Sequence, residues 1–75
     1  MNFDDTLDAV GLLCPLPVLK ARKRLKALRK GQVLRVLADD PAAVIDFPHF
    51  CNEQGHGLMD MRVENDVNVY FIQKA

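Results

Sequence analysis

The sequence predicts an α+β fold, a two-layer sandwich of two helices packed on one face of a four-stranded mixed sheet, in the order β-α-β-α-β-β. Three observations carry this expectation. From Val18 to Leu28 the apolar residues recur at spacings of three and four, the period of a helix with one buried stripe. Val33-Leu34-Arg35-Val36-Leu37 is a nearly continuous apolar run of strand length. Two alternating segments flank Asn65-Asp66 and read as a terminal hairpin. The chain has 75 residues, 49% of them hydrophobic, which suits one small folded domain spanning residues 1–75.

Each element has its own local signal. Residues 6–10 are short and partly alternating and stop at Gly11, which marks the first strand. Cys14-Pro15-Leu16-Pro17 follows. Proline is tolerated in a first helical turn, where the N–H it lacks would have no partner inside the helix. Pro15 and Pro17 therefore mark a helix start and put Cys14 at or near the N-cap. Val18, Ala21, Leu25 and Leu28 form the stripe of this helix, and Gly31 stops it. Residues 32–38 have the apolar density of an interior strand beside a parallel neighbour, reached by a right-handed crossover.

Asp39-Asp40-Pro41 is a turn able to cap a second helix. Pro48 removes a hydrogen bond inside that helix, so a kink or two pieces are expected, with Asp46 as the new cap. Ala43, Phe47, Phe50 and Cys51 form its inner face, and Gly55-His56-Gly57 ends it. In the hairpin, Met59, Met61 and Val63 alternate with charged residues, and Val67, Val69 and Phe71 alternate with Asn68, Tyr70 and Ile72.

Ten basic and ten acidic side chains cancel, yet Lys20, Arg22, Lys23, Arg24, Lys26, Arg29 and Lys30 put seven of the cations into one segment without an acid. Such a face steers acidic protein surfaces. No aromatic residue is interleaved with the cations for base stacking, so direct nucleic-acid binding is not expected. No apolar run approaches the roughly 18 residues needed to cross a bilayer. The acidic start is unlike a signal peptide, and a cytoplasmic protein without a membrane role is the expectation. Phosphate loop, dinucleotide fingerprint and serine nucleophile motif are all missing, which leaves covalent chemistry to a thiol.

Cys14 is the foremost candidate. A thiol at a helix N-terminus lies at the positive end of the macrodipole, which favours thiolate. Pro15 and Pro17 cannot donate, leaving the amides of Leu16 and Val18 as nearby donors, so a moderate activation is expected. Leu13 and Leu16 ring the thiol with apolar surface of the kind a partner covers. Cys51, on an inner helix face beside Phe50, reads as a buried structural residue. His49, Cys51 and His56 match no standard zinc spacing and lack a fourth ligand, so neither metal nor organic cofactor is expected.

The stretch Leu7-Asp8-Ala9-Val10-Gly11-Leu12-Leu13-Cys14-Pro15-Leu16-Pro17 resembles the signature of the TusA/SirA family of small bacterial sulfur carriers. Asp39-Asp40-Pro41-Ala42, Asp46-Phe47-Pro48 and Phe50-Cys51 are similar to the second-helix region of that family, so the resemblance runs from Thr6 to Phe71. It implies a fold like the C-terminal domain of translation initiation factor three. It also implies a persulfide shuttle in which Cys14 takes sulfane sulfur from a cysteine desulfurase or rhodanese-like donor and relays it to an acceptor protein. In the best-known branch that route ends in 2-thiouridine of tRNA, while others serve sulfur oxidation or cofactor assembly. Pro15 and Pro17 match the motif's prolines, which would shape the helix start and direct the sulfur. Lys20, Arg22, Lys23, Arg24 and Lys26 would meet the partner, with Leu13 and Leu16 standing where some members carry charge. A monomer is expected.

Two other readings compete. A non-catalytic regulatory or interaction module would use the basic helix to bind RNA or an acidic protein, and replacing Cys14 with Ser would leave it intact. A thiol redox protein would pair Cys14 with Cys51, which requires their Cα atoms to come within about 7 Å.

Overall fold

The computed structural model describes residues 2–75. It contains β1 (Asp5–Asp8), α1 (Leu16–Lys26), β2 (Val33–Ala38), α2 (Ala43–Gln54), β3 (Gly57–Glu64) and β4 (Val67–Gln73), the expected order of elements. The strands lie in the sheet order β1-β2-β4-β3. β1 runs parallel to β2, while β4 is antiparallel to both β2 and β3. β2 is thus an interior strand with one parallel neighbour, which its apolar density required.

One core joins the two layers. Leu34, Val36 and Ala38 of β2 and Tyr70 and Ile72 of β4 face Ala21 and Leu25 of α1 and Ala43, Phe47, Phe50 and Cys51 of α2. The α2 residues are the inner face that helical spacing selected. On α1, Pro17 is fully buried and Val18 only partly covered, as is Leu28 just beyond the helix end. The proline ring thus supplies the first contact of the buried stripe as well as the helix start. On the opposite side of the sheet, Phe3 lies 6.3 Å from Phe71, with Arg35 over Phe3 at 4.2 Å and Arg62 over Phe71 at 5.3 Å. These groups cover Phe71, so the alternation in β4 hides both of its faces. At the sheet edge, Met59, Met61 and Val63 of β3 stay exposed.

Three local expectations are corrected. β1 begins and ends earlier than residues 6–10, because Val10 and Gly11 already form a turn. Val10 N–H donates to Asp8 Oδ1 at 3.0 Å, and Gly11 has a φ of 86°, where glycine is favoured. The N-cap of α1 is Pro15, so Cys14 stands next to it just outside the helix, as expected, whereas the helix ends at Lys26 and not at the Gly31 stop. α2 runs unbroken through Pro48. The missing amide leaves the Val44 carbonyl without its helical donor, and Val44 is an exposed residue. Breaking a helix interior with proline costs about 3 kcal/mol. Burying Phe47 and Phe50 on either side contributes about 1.5–3 kcal/mol each, enough to hold the helix together. Asp46 is consequently no cap: its N–H donates to the Ala42 carbonyl at 2.9 Å, inside the first turn.

Candidate functional site

Residues 9–16 carry the chain from β1 into α1, and hydrogen bonds tie them down one after another. Leu12 N–H donates to the Ala9 carbonyl at 3.2 Å, and Gly11 N–H to Asp39 Oδ1 at 2.9 Å. Cys14 N–H donates to Asp40 Oδ2 at 2.6 Å, a short charge-assisted bond. Leu16 N–H then donates to the Leu13 carbonyl at 2.9 Å, and Leu19 N–H to the Pro15 carbonyl at 3.1 Å. The Cys14–Pro15 peptide is cis.

Asp40 is the hub. It is only 7% exposed, the one buried charged side chain among the described residues. Its Oδ1 accepts from Ala42 N–H at 3.2 Å and its carbonyl from Ala43 N–H at 3.0 Å. A single carboxylate therefore satisfies donors at the start of α2 and in the Cys14 loop, the service an N-cap side chain gives one helix. The Asp39-Asp40 pair is thus the turn its sequence indicated but not the N-cap, which is Ala42 without a side-chain cap bond; Asp40 serves the Ala42 amide from outside the helix. The pair's long reach to Gly11 and Cys14 has no local signature.

Cys14 is exposed, and the electrostatics around its sulfur correct the expectation of a favoured thiolate. Its pKa is raised above the ordinary 9.0, first because the thiol hydrogen-bonds to Asp46, then through desolvation, then through the negative charges of Asp46 and Asp40. The dipole argument fails for a local reason: Leu16 N–H is engaged by the Leu13 carbonyl, and the prolines offer no donor. Two carboxylates near the sulfur outweigh what remains.

Below it, Tyr70 is completely buried, its ring 4.6 Å from that of Phe47. Its hydroxyl has no hydrogen-bond partner, although the Asn68 side chain stands nearby. Desolvation raises its pKa, the Asn68 amide opposes this, and the charges of Asp40 and Asp46 add to it. The influence of Asp46 on the Cys14 thiol was not legible in the sequence, since it depends on how α2 packs beside the Cys14 loop.

The other candidates fall into place around this centre. Leu13 is 68% exposed and Leu16 45%, flanking the thiol with uncovered apolar surface. Pro15 is exposed and Pro17 buried, so the two motif prolines face different surroundings. Ile45, next to Asp46 in sequence, is also exposed. Lys20, Arg22, Lys23 and Lys26 are exposed on α1, as is Arg24, which is partly committed elsewhere. Arg24 donates to Asp5 Oδ2 at 3.2 Å and to the Thr6 carbonyl at 3.0 Å, fastening α1 to β1. Leu7, Lys20, Lys23, Arg24 and Ala27 line an open hollow of about 310 Å³ on this side.

Cys51 is buried in α2, where desolvation pushes its thiol up to about 11, and both cysteines are free. His49 lies 3.8 Å from Glu53, while His56 Nδ1 accepts from Ala75 N–H at 3.0 Å. No cluster of three or more His, Cys, Asp or Glu able to hold a metal ion occurs among the described residues. No helix among them is long and apolar enough to cross a membrane.

Known proteins resemble this chain in sequence and fold. A family profile described as sulfurtransferase TusA matches residues 5–74. A sulfur carrier protein TusA from Allochromatium vinosum is 46% identical over 74 residues, covering 99% of this chain and 97% of the relative. The crystal structure of a SirA-like protein from Desulfitobacterium hafniense superposes with a TM-score of 0.84 at 29% identity, covering 93% of this chain and 96% of that one.

Proposed function

Because this chain belongs to the TusA family, we propose that it is a sulfur carrier which holds sulfane sulfur as a persulfide on Cys14 and relays it between proteins. The observation that carries the reading is the setting of Cys14: an exposed thiol at the start of α1, its backbone pinned by buried Asp40, its surroundings uncovered leucines. A thiol that meets another protein's sulfur needs that exposure and a covering partner. Exchange between two sulfurs requires only their close approach in a docked complex.

In the loading step the Cys14 sulfur attacks the terminal sulfur of a donor persulfide. The donor's S–S bond breaks as the new one forms. A cysteine desulfurase or rhodanese-like protein is the donor of fitting chemistry. The acceptor is a protein thiol, with tRNA 2-thiouridine synthesis as the leading destination and the cytoplasm as the setting. Lys20, Lys23 and neighbouring cations of α1 steer an acidic partner surface towards the site, and Leu13 and Leu16 form the apolar contact. The carrier acts as a monomer.

The test is intact mass after incubation with a cysteine desulfurase and cysteine. One reducible sulfur atom is expected on the wild type and on Cys51→Ser, and none on Cys14→Ser. Failure to load with several unrelated donors would overturn the proposal and leave the basic helix of an interaction module as the working surface.

A further inference from the structure

We propose that the Asp60–Arg62 pair is a clasp that holds the β3 edge of the sheet shut against a second copy of this chain, so that Met59, Met61 and Val63 stay unpaired. The inference is independent of what Cys14 carries and concerns a surface outside the Cys14 site.

The sheet order β1-β2-β4-β3 leaves two edges, β1 and β3, and the same arrangement closes both. On β1, Asp5 Oδ1 accepts from Thr6 N–H at 2.8 Å and Asp5 Oδ2 from Arg24 Nη1 at 3.2 Å. On β3, Asp60 Oδ1 accepts from Met61 N–H at 2.9 Å and Asp60 Oδ2 from Arg62 Nε at 2.7 Å. In each case a carboxylate takes the amide of the next residue with one oxygen and is held by an arginine through the other. Open amides on an edge strand are a template for another strand. Successive residues of such a strand bond alternately to the neighbouring strand and outwards, and the Met61 amide, taken by Asp60, is one of the outward groups. The Arg62 bond also lowers the Asp60 pKa from its ordinary 3.8, so the clasp is charged at neutral pH.

β3 has more to guard than β1. β1 is four residues long, and Arg24 also donates to its Thr6 carbonyl at 3.0 Å. β3 is eight residues long and exposes Met59, Met61 and Val63, the last by 74%. A long apolar edge associates with itself unless something blunts it. A break in register between Leu58 and Asp60 disturbs its first half. The second half matches itself. Set antiparallel on a second copy about Val63, it places Val63 opposite Val63 and Arg62 opposite Glu64 of the other chain. That pairing uses the Met61 amide and the Arg62 guanidinium, and Asp60 withholds both. Arg62 also lies over the Phe71 ring at 5.3 Å, which turns it from the strand edge onto the sheet face.

The experiment is sedimentation velocity of wild type, Asp60→Ala, Asp60→Asn and the double variant Asp60→Ala with Val63→Lys, from about 10 µM to about 1 mM protein, with circular dichroism to check the fold. Wild type is expected to stay monomeric throughout. Asp60→Ala is expected to form dimers whose share rises with concentration and exceeds that of wild type at least about tenfold at the top of the range. Asp60→Asn keeps an acceptor for the Met61 amide but loses the charged hold on Arg62, and should fall between them. The double variant should return to monomer, because a lysine on an edge strand blocks pairing. Amide exchange at Val63 should slow with concentration in Asp60→Ala and not in wild type.

An Asp60→Ala protein that stays monomeric, a wild type that dimerises as readily, or dimers that survive Val63→Lys would overturn the proposal. Should Asp60→Ala lose its fold, Asp60→Asn decides by the same measure. No sulfur donor is needed for these readouts, so failure of the carrier reading would leave them standing.

Discussion

The Asp40 side chain reaches across 26 residues of sequence to place Oδ2 2.6 Å from the Cys14 backbone nitrogen, so the turn before α2 fixes the entry to α1. The reactive loop and the second helix are one mechanical unit, and stability and chemistry can be separated by choosing which oxygen to remove.

Asp40→Ala deletes both acceptors from a buried position. A hydrogen bond to a charged group contributes about 1.5–3 kcal/mol, so a loss of about 2–3 kcal/mol is expected in urea unfolding, with faster amide exchange at Cys14 and Ala42. Asp40→Asn keeps one acceptor oxygen and is expected to lose about half as much. A change under about 0.5 kcal/mol for Asp40→Ala would mean that the tie does not hold the loop.

Alkaline pH should weaken the fold through Cys51. Its thiol is pushed up from 9.0 to about 11 by burial. Between those values the unfolded chain has lost the proton while the folded chain keeps it, so unfolding becomes easier as pH rises. Stability is unaffected below about pH 8 and falls by about 1.4 kcal/mol per pH unit between about pH 9 and 11 from this group. Cys51→Ala should reduce the slope of unfolding free energy between pH 9 and 10, although the raised Cys14 thiol contributes with the same sign there and burial of Tyr70 does so at higher pH. An unchanged slope would count against a protonated, buried thiol.

The charged and apolar parts of the docking surface should separate kinetically. Lys20→Glu with Lys23→Glu is expected to slow sulfur loading several-fold in low salt. The deficit should shrink at about 0.5 M salt, where the Debye length is only a few ångströms. Leu13→Ser with Leu16→Ser should slow loading at every salt concentration, because what it removes is apolar contact. Neither pair should move the thermal midpoint much, since all four side chains are exposed. Equal salt dependence in the two variants would remove the distinction.

Tyr70 offers a sharp contrast between ring and hydroxyl. Tyr70→Phe deletes a hydroxyl without a partner and keeps the stacking on Phe47, so stability should hold or rise by about 1 kcal/mol. Tyr70→Ala empties a fully buried site and should cost about 3–5 kcal/mol. A clear loss of stability for Tyr70→Phe would show that the hydroxyl has a bonding partner in solution.

The sequence reveals what short-range periodicity controls. Helical spacing picked out Ala21, Leu25, Ala43, Phe47, Phe50 and Cys51, and all six are buried. The Asn65-Asp66 turn followed from residues that tolerate positive φ, which the two adopt at 52° and 65°. Pro48 misled because a local rule was overridden by packing on both sides of it. The thiol's electrostatics misled more seriously. The dipole at a helix start is a local property, but the carboxylates that counter it stand 26 and 32 residues further along the chain. Only the sheet order, which folds β2 and α2 back over the start of α1, brings them to Cys14.

Two consecutive acidic residues grip the reactive loop at two points, Gly11 and Cys14, so its backbone search is finished before any encounter. The entropy of ordering that segment has already been met by folding, and binding need not meet it again. The motion required to bring two sulfurs into line must therefore come from the other protein. Partners of this carrier should present their own sulfur on a mobile arm, and the rate of each handover should follow the partner's flexibility more closely than the carrier's.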